Sequence, residues 1–309
     1  MKIQAPAVPA TPARAVGVVG VGLMGGAMAA RLVATGWRVC VHDIHPGRMA
    51  EAEAAGAEPC ASAQAVVQHL PPTAPLVVVV VDAAQVADVL FGATGAAQAM
   101  APGQTVVLCP TIGPGDTEAL GARLEALGLG CVDAPISGGP LRAREGRMSM
   151  MVAGPEPAVG ALTPLLQDLS TQVFQVGSRI GDGARTKLVN NLLAGINLVG
   201  AAEAMVLAER LGLDPALTLA VVERSSGQSW IGSDRLARAL AGDHTPRAHM
   251  TLLSKDTRLA MAAAGQVGVQ GPLGAATAAA FAQACAAGYA DHDDGALLQW
   301  LRQLPTMRP

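Results

Sequence analysis

Aromatic side chains are nearly missing from this chain, with three Trp, one Tyr and three Phe in 309 residues. Charge is thin as well: Asp, Glu, Lys and Arg make up 15%, against roughly 25% in ordinary water-facing domains. With a formal charge of −3, there is neither a basic stripe nor a set of stacking platforms, which excludes nucleic acid as a partner. The 51% of apolar residues excludes a disordered chain. The five Cys (Cys40, Cys60, Cys109, Cys131, Cys285) are odd in number and lack CxxC spacing, so no disulfide or thiolate-metal framework is expected. None of the six His forms an HxxxH or HxH pair, which removes the usual metal-hydrolase pattern and leaves no expected metal.

Long hydrophobic runs are scarce too, although the mean hydropathy is +0.37. The greasiest run, Leu76 to Val81, meets Asp82 after six residues, far short of the ~20 that a spanning helix needs. The longest uncharged stretch, Leu259 to Ala290, is mostly Ala and is broken by Gly265, Gly268, Gly271, Pro272 and Gly274. It reads as two tightly packed helices rather than a span, and no membrane partner is expected. Residues 1–14 are Pro-rich without an apolar core segment, so they read as a short disordered leader, not a secretory signal. The expected compartment is the cytoplasm.

What is present is a regular alternation. Short apolar runs at Val16–Val19, Arg38–His42, Leu76–Val81, Thr105–Leu108, Cys131–Asp133 and Ser149–Ala153 are separated by amphipathic segments. Those segments lie around Met24–Ala34, Arg48–Ala55, Ala63–Gln68, Gln85–Leu90 and Asp116–Leu127. Buried runs alternating with helices predict right-handed βαβ units and a mostly parallel, doubly wound sheet of the Rossmann type. After about Gly177 the strand pattern stops. Lys187 to Leu211 contains no Pro and predicts one long bridging helix, followed by an all-α region. At ~150 residues per domain, the layout is a dinucleotide-binding domain over 15–177 and an all-helical substrate and oligomerisation domain over 178–309.

The first apolar run leads directly into Gly20-Val21-Gly22-Leu23-Met24-Gly25 and then a helix. In that context Gly20 permits the tight turn, Gly22 lets a pyrophosphate approach, and Gly25 lets helix and strand pack closely. The free N–H groups at the helix start, including those of Leu23 and Met24, favour phosphate. Asp43 ends the second run, about 20 residues beyond the motif, where a carboxylate binds ribose hydroxyls and repels a 2′-phosphate. NAD is therefore expected over NADP, with His45 and Arg48 nearby to soften the discrimination.

Three further segments carry polar groups in apolar or small-residue surroundings. In Asp133-Ala134-Pro135-Ile136-Ser137-Gly138-Gly139, two glycines beside a hydroxyl expose backbone N–H groups that suit a carboxylate. In Gly181-Asp182-Gly183-Ala184-Arg185-Thr186-Lys187-Leu188-Val189-Asn190-Asn191, helical spacing puts Lys187, Asn190 and Asn191 on one face. The following turns are apolar, which is unlike a solvated surface. The step Lys255-Asp256, by itself, reads as a surface ion pair.

These four segments, in this order and spacing, resemble the β-hydroxyacid dehydrogenase family, the group that includes 3-hydroxyisobutyrate dehydrogenase. The resemblance covers Ala15 to about Leu304. It implies that Lys187 is the general acid/base at the substrate hydroxyl. It further implies that Ser137, Gly138 and Gly139 hold the substrate carboxylate, that Asn191 orients the reacting oxygen, and that Lys255 lies near the nicotinamide. A lysine desolvated between two domains has a lowered pKa and can accept a proton from an alcohol, which fits that role. Two positions are variable. Cys109-Pro110-Thr111 leaves only Thr111 as a hydroxyl for the nicotinamide end, and Arg142 faces either a second anionic group or solvent. Trp230 sits where the helical domain would line the substrate pocket.

The expected activity is NAD-dependent hydride transfer between the cofactor and a small β-hydroxy acid, or its semialdehyde or keto form. An NADPH-dependent semialdehyde or glyoxylate reductase of the same fold and a non-catalytic dinucleotide sensor are the alternatives. The low charge then has another meaning: the excess apolar surface points to a homodimer or homotetramer formed through the helical domain.

Overall fold

The computed structural model describes residues 14–305, so all of the expected leader except Arg14 lies outside the described residues. Arg14 pairs with Asp168 at 2.7 Å. The chain divides into two compact units, one running through Pro110 and then Gly115–Gly183, the other Thr111–Pro114 and Ala184 onward.

The first unit is built on nine strands among the described residues: β1 (Ala15–Val19), β2 (Arg38–His42), β3 (Glu58–Pro59), β4 (Leu76–Val78), β5 (Thr105–Leu108), β6 (Gly130–Asp133), β7 (Ile136–Ser137), β8 (Ser149–Ala153) and β9 (Gln172–Gly177). Their spatial order is β3-β2-β1-β4-β5-β6-β8-β7, with β9 on β8. Strands β3 to β6 run parallel, whereas β8 is antiparallel to β6 and β7. Strand order reverses between β1 and β4, and ligands bind at the carboxyl ends of strands at such a point. Val16, Val18, Val77, Val107 and Val132 are buried with Met28 and Leu32 of helix Leu23–Ala34. Val-rich strands covered on both faces give this unbroken apolar pattern.

The structure departs from the sequence reading in places. The run Leu76–Val81 is strand only to Val78, because Val79 turns to meet Gly20 and Asp82 then caps helix Ala83–Phe91 by accepting from the Gln85 N–H. Strands β3, β7 and β9 escape that reading. The first two have two residues each, and β9 is a half-exposed segment, Gln-Val-Phe-Gln-Val-Gly, that pairs on β8.

The long helix spans Asp182–Arg210 and belongs to the second unit from Ala184 onward. Helices Pro215–Val222, Trp230–Leu240, Met250–Gln266, Pro272–Ala284 and Leu297–Gln303 follow. Asp214 accepts from the Ala216 N–H at 2.8 Å and starts the first of these. Their core holds Leu198, Met205, Leu236, Phe281 and Trp300. Small residues set the spacing: a Cβ built at Gly195 would stand 2.8 Å from Thr257 Cγ2 and 3.1 Å from Thr277 Cγ2. The Ala-rich stretch after Leu259 therefore packs as two helices against the long one. Among the described residues, Asp182–Arg210 is long and apolar enough to cross a membrane by length and composition. Its uncharged run, Leu188 to Ala202, is bounded by Lys187 and Glu203. This is the helix that carries Lys187 and Asn191, both buried.

Candidate active site

At the end of β1 the glycines do separate work. Gly20 has φ +88°, and a Cβ there would stand 2.4 Å from the Val79 carbonyl oxygen. A Cβ at Gly25 would stand 1.9 Å from the Gly20 carbonyl oxygen, whereas Gly22 faces open space. Backbone meets backbone at Gly20 and Gly25, and room is left at Gly22. Helix Leu23–Ala34 starts at this opening with Gly22 as N-cap and no side-chain cap, so its first-turn N–H groups point to an anion site. Asp43 closes the turn: its Oδ2 accepts from the Val21 N–H at 2.8 Å and its Oδ1 from the His45 N–H at 2.9 Å. Each carboxylate oxygen keeps a further lone pair for a ribose hydroxyl. The open Gly22 and the oriented Asp43 fit a dinucleotide.

The same unit carries the glycine pair. Ser137 ends β7, half-buried, and Gly138 and Gly139 follow with φ +127° and +77°. A Cβ at Gly139 would meet nothing within 4 Å, while one at Gly138 would stand 3.1 Å from Arg142 Cδ. The stem of Arg142 thus lies over Gly138.

The helical unit brings together Lys187, Asn191, Lys255 and Thr111, as well as a residue the sequence reading left aside. Lys187, Asn191 and Asp256 are 5%, 8% and 6% exposed. Asn191 Nδ2 donates to Asp256 Oδ2 at 2.6 Å, and Asn190 Nδ2 donates to Asn191 Oδ1 at 2.9 Å. Lys255 Nζ pairs with Asp256 Oδ1 at 2.8 Å and donates to the Thr111 carbonyl. Lys255-Asp256 is therefore not the surface ion pair its sequence suggests. The missed signal is the burial of Leu253, Asp256, Thr257 and Ala260, a helical spacing that puts Asp256 on the inner face. Burial pushes the Lys187 ammonium down to about 8; Asp256 opposes this and Lys255 adds to it.

Trp230 opens helix Trp230–Leu240, which Ser229 caps by accepting from the Gly232 N–H at 3.2 Å. The indole is 40% exposed, so it is not a core residue. The Arg235 guanidinium stands 5.8 Å from its ring centroid and is itself held by Asp294 at 2.6 Å.

Residues 15–177 match the family described as the NAD binding domain of 6-phosphogluconate dehydrogenase, and residues 181–301 the one described as NAD-binding of NADP-dependent 3-hydroxyisobutyrate dehydrogenase. The chain belongs to the β-hydroxyacid dehydrogenase family. It is 38% identical over 286 residues to L-threonate dehydrogenase of Cupriavidus necator, covering 93% of this chain and 95% of that one. With human mitochondrial 3-hydroxyisobutyrate dehydrogenase the identity is 30% over 298 residues, covering 94% and 88%. The crystal structure of a 3-hydroxyisobutyrate dehydrogenase from Salmonella typhimurium matches with a TM-score of 0.85 at 35% identity, over 93% of this chain and 99% of that one. The dehydrogenase is an oxidoreductase that acts on the CH–OH group of a hydroxy acid with a nicotinamide dinucleotide.

Proposed function

We propose that the dehydrogenase oxidises a small β-hydroxy acid, 3-hydroxyisobutyrate-like, with Lys187 as the general base. The observation that carries this reading is a lysine 5% exposed, with a pKa lowered to about 8 and a hydrogen-bonded Asn191 one turn further along the helix. At pH near 8 a large fraction of such amines is neutral and takes the hydroxyl proton; in the reverse direction the ammonium returns it. Asn191, its amide held by Asp256, orients the reacting oxygen. Ser137 and the N–H groups at Gly138 and Gly139 hold the carboxylate, and Trp230 lines the space for the rest of the substrate. Gly20, Gly22, Leu23, Met24, Gly25 and Asp43 hold the dinucleotide, with Thr111 and Lys255 toward its nicotinamide. A dinucleotide bound there would supply the hydride acceptor.

The buried Lys187 also speaks against a sensor that binds without turnover, since burial of an amine has a cost that binding alone does not require. Asp43 supports NAD over NADP: held at the Gly-rich turn through Oδ2 and by the His45 N–H through Oδ1, its carboxylate meets a 2′-phosphate with repulsion. The expected kcat/KM ratio favours NAD, and Asp43→Asn reduces that ratio by about tenfold; an unchanged ratio removes Asp43 from this role.

The test of the reaction is NAD reduction over a panel of L-threonate, 3-hydroxyisobutyrate, glycerate and serine at alkaline pH. L-threonate has first place because relatives of that name match at 38% identity over 286 residues. Turnover on one of these acids is the expected result, and none on any of them defeats the reading. We further propose a homodimer or homotetramer through the helical unit, supported by Val189, Leu193 and Leu207, which are exposed along one side of the long helix. A chain that sediments as a monomer at micromolar concentration contradicts it. A cytoplasmic location fits five free cysteines in a reducing compartment.

A further inference from the structure

Asp133 has no part in the roles above, yet it is a carboxylate 1% exposed at the end of a central strand. Its neighbours on the sheet are Leu108 of β5 and Ala153 of β8, and an apolar side chain would fill that position with no desolvation cost. Its Oδ2 accepts from the Gly181 N–H at 3.0 Å, across 48 residues of chain. Gly181 has φ +97°, a conformation that favours glycine, and the long helix starts at the next residue. A Cβ built at Gly183 would stand 2.9 Å from Asp133 Cγ and 2.7 Å from the Met151 carbonyl oxygen. The start of the helix thus sets two glycines against one buried carboxylate, and the helix dipole favours a negative charge there.

Lys187 is six residues beyond Gly181, about 9 Å of helical rise. Ser137 is four residues beyond Asp133 along the chain. We propose that Asp133 is a positioning residue for the reaction: by clamping the Gly181–Gly183 turn it sets the start and rotation of the helix that carries Lys187. This rests on Lys187 being the base. It needs no chemistry from Asp133 itself, only an acceptor at Oδ2. A shift of about 1 Å at a reacting group costs on the order of 10²-fold in rate, so the loss of this clamp falls on kcat.

The experiment compares wild type, Asp133→Ala, Asp133→Asn and Gly183→Ala for kcat, KM, the NADH Kd by fluorescence titration, and the pH profile of kcat/KM. Asp133→Ala is expected to lower kcat about 100-fold with the NADH Kd within about twofold of wild type and the pH limb unmoved. A general loss of structure would weaken NADH binding as well. Asp133→Asn keeps a side-chain oxygen to accept from Gly181 and is expected to stay within about threefold of the wild-type kcat. Gly183→Ala pushes on the same carboxylate without removing it and is expected to lower kcat about tenfold. The inference is overturned by Asp133→Ala retaining kcat, by Asp133→Asn losing as much kcat as alanine does, or by Gly183→Ala leaving kcat unchanged. Should Asp133→Ala not fold, the other two variants decide. A wild-type enzyme inactive on every acid of the panel defeats the dehydrogenase reading itself, and the wild-type arm alone identifies that case.

Discussion

The two units of this enzyme use glycine for different ends. In the dinucleotide-binding unit Gly20 and Gly25 let one stretch of backbone touch another, while Gly22 faces nothing within 4 Å. In the helical unit Gly195 faces Thr257, Thr277 and Phe281, and Gly274 faces Met261, all within 3.3 Å of a Cβ built on the glycine. The first pattern leaves a hole for a ligand; the second closes a helix crossing. Ala and Gly richness in this chain therefore does not mark one thing. It means ligand access where the turn is anchored by an outside carboxylate such as Asp43, and close packing where helices face each other.

The sharpest way to break the comparison is through Lys187, a cation buried on the long helix. Lys187→Ala is expected to lower kcat by about 10³-fold, within the range for a lost general base, while the NADH Kd changes less than twofold. Retained turnover would make the lysine a packing residue like its apolar neighbours. The next test exchanges glycines. Gly22→Ala adds a methyl to open space and is expected to leave the urea midpoint unchanged while weakening NADH binding about 10- to 100-fold by blocking the pyrophosphate. Gly195→Ala is expected to do the reverse, costing roughly 1–3 kcal/mol of stability through overpacking with the NADH Kd unchanged. A Gly22→Ala protein that binds NADH normally would make that glycine ordinary.

The same contrast explains what was legible in the sequence. The turn after β1 is local: glycine spacing, the preceding Val run and Asp43 lie within 29 residues, from Ala15 to Asp43, and local physics determines them. The long helix and its Lys187–Asn191 face are legible for the same reason, since a Pro-free apolar segment with polar groups at i and i+4 is read along the chain. Asp256 is not, because its burial depends on a helix 65 residues away packing against its own and on Asn191 donating to its carboxylate at 2.6 Å. The fate of Lys255 is equally non-local, as its partner is the carbonyl of Thr111, 144 residues distant. Strand β9 is missed because a segment with no fully buried position, paired on β8, lacks the continuous apolar signal of a covered strand.

The smallest expected effect probes this non-local pair. Burial is the main reason the Lys187 ammonium is lowered to about 8, and the Asp256 carboxylate works against that lowering. The base must be neutral, so kcat/KM for oxidation is expected to rise with pH and level off above about 8. Asp256→Asn removes the charge that favours the ammonium and leaves Lys255 without its 2.8 Å partner, so Lys187 loses its proton more readily. The limb is expected to move to lower pH, and the variant gains relative to wild type as pH falls toward 7. Stability gives an independent check with its own sign. With a folded pKa below the ordinary lysine value, the unfolded chain binds more protons between the two values, so stability rises with pH from about 8 toward 10. Lys187→Met is expected to flatten that rise. A limb that stays in place in Asp256→Asn would mean that the carboxylate acts on Asn191 alone, as a strut for the amide and not as a charge facing the lysine.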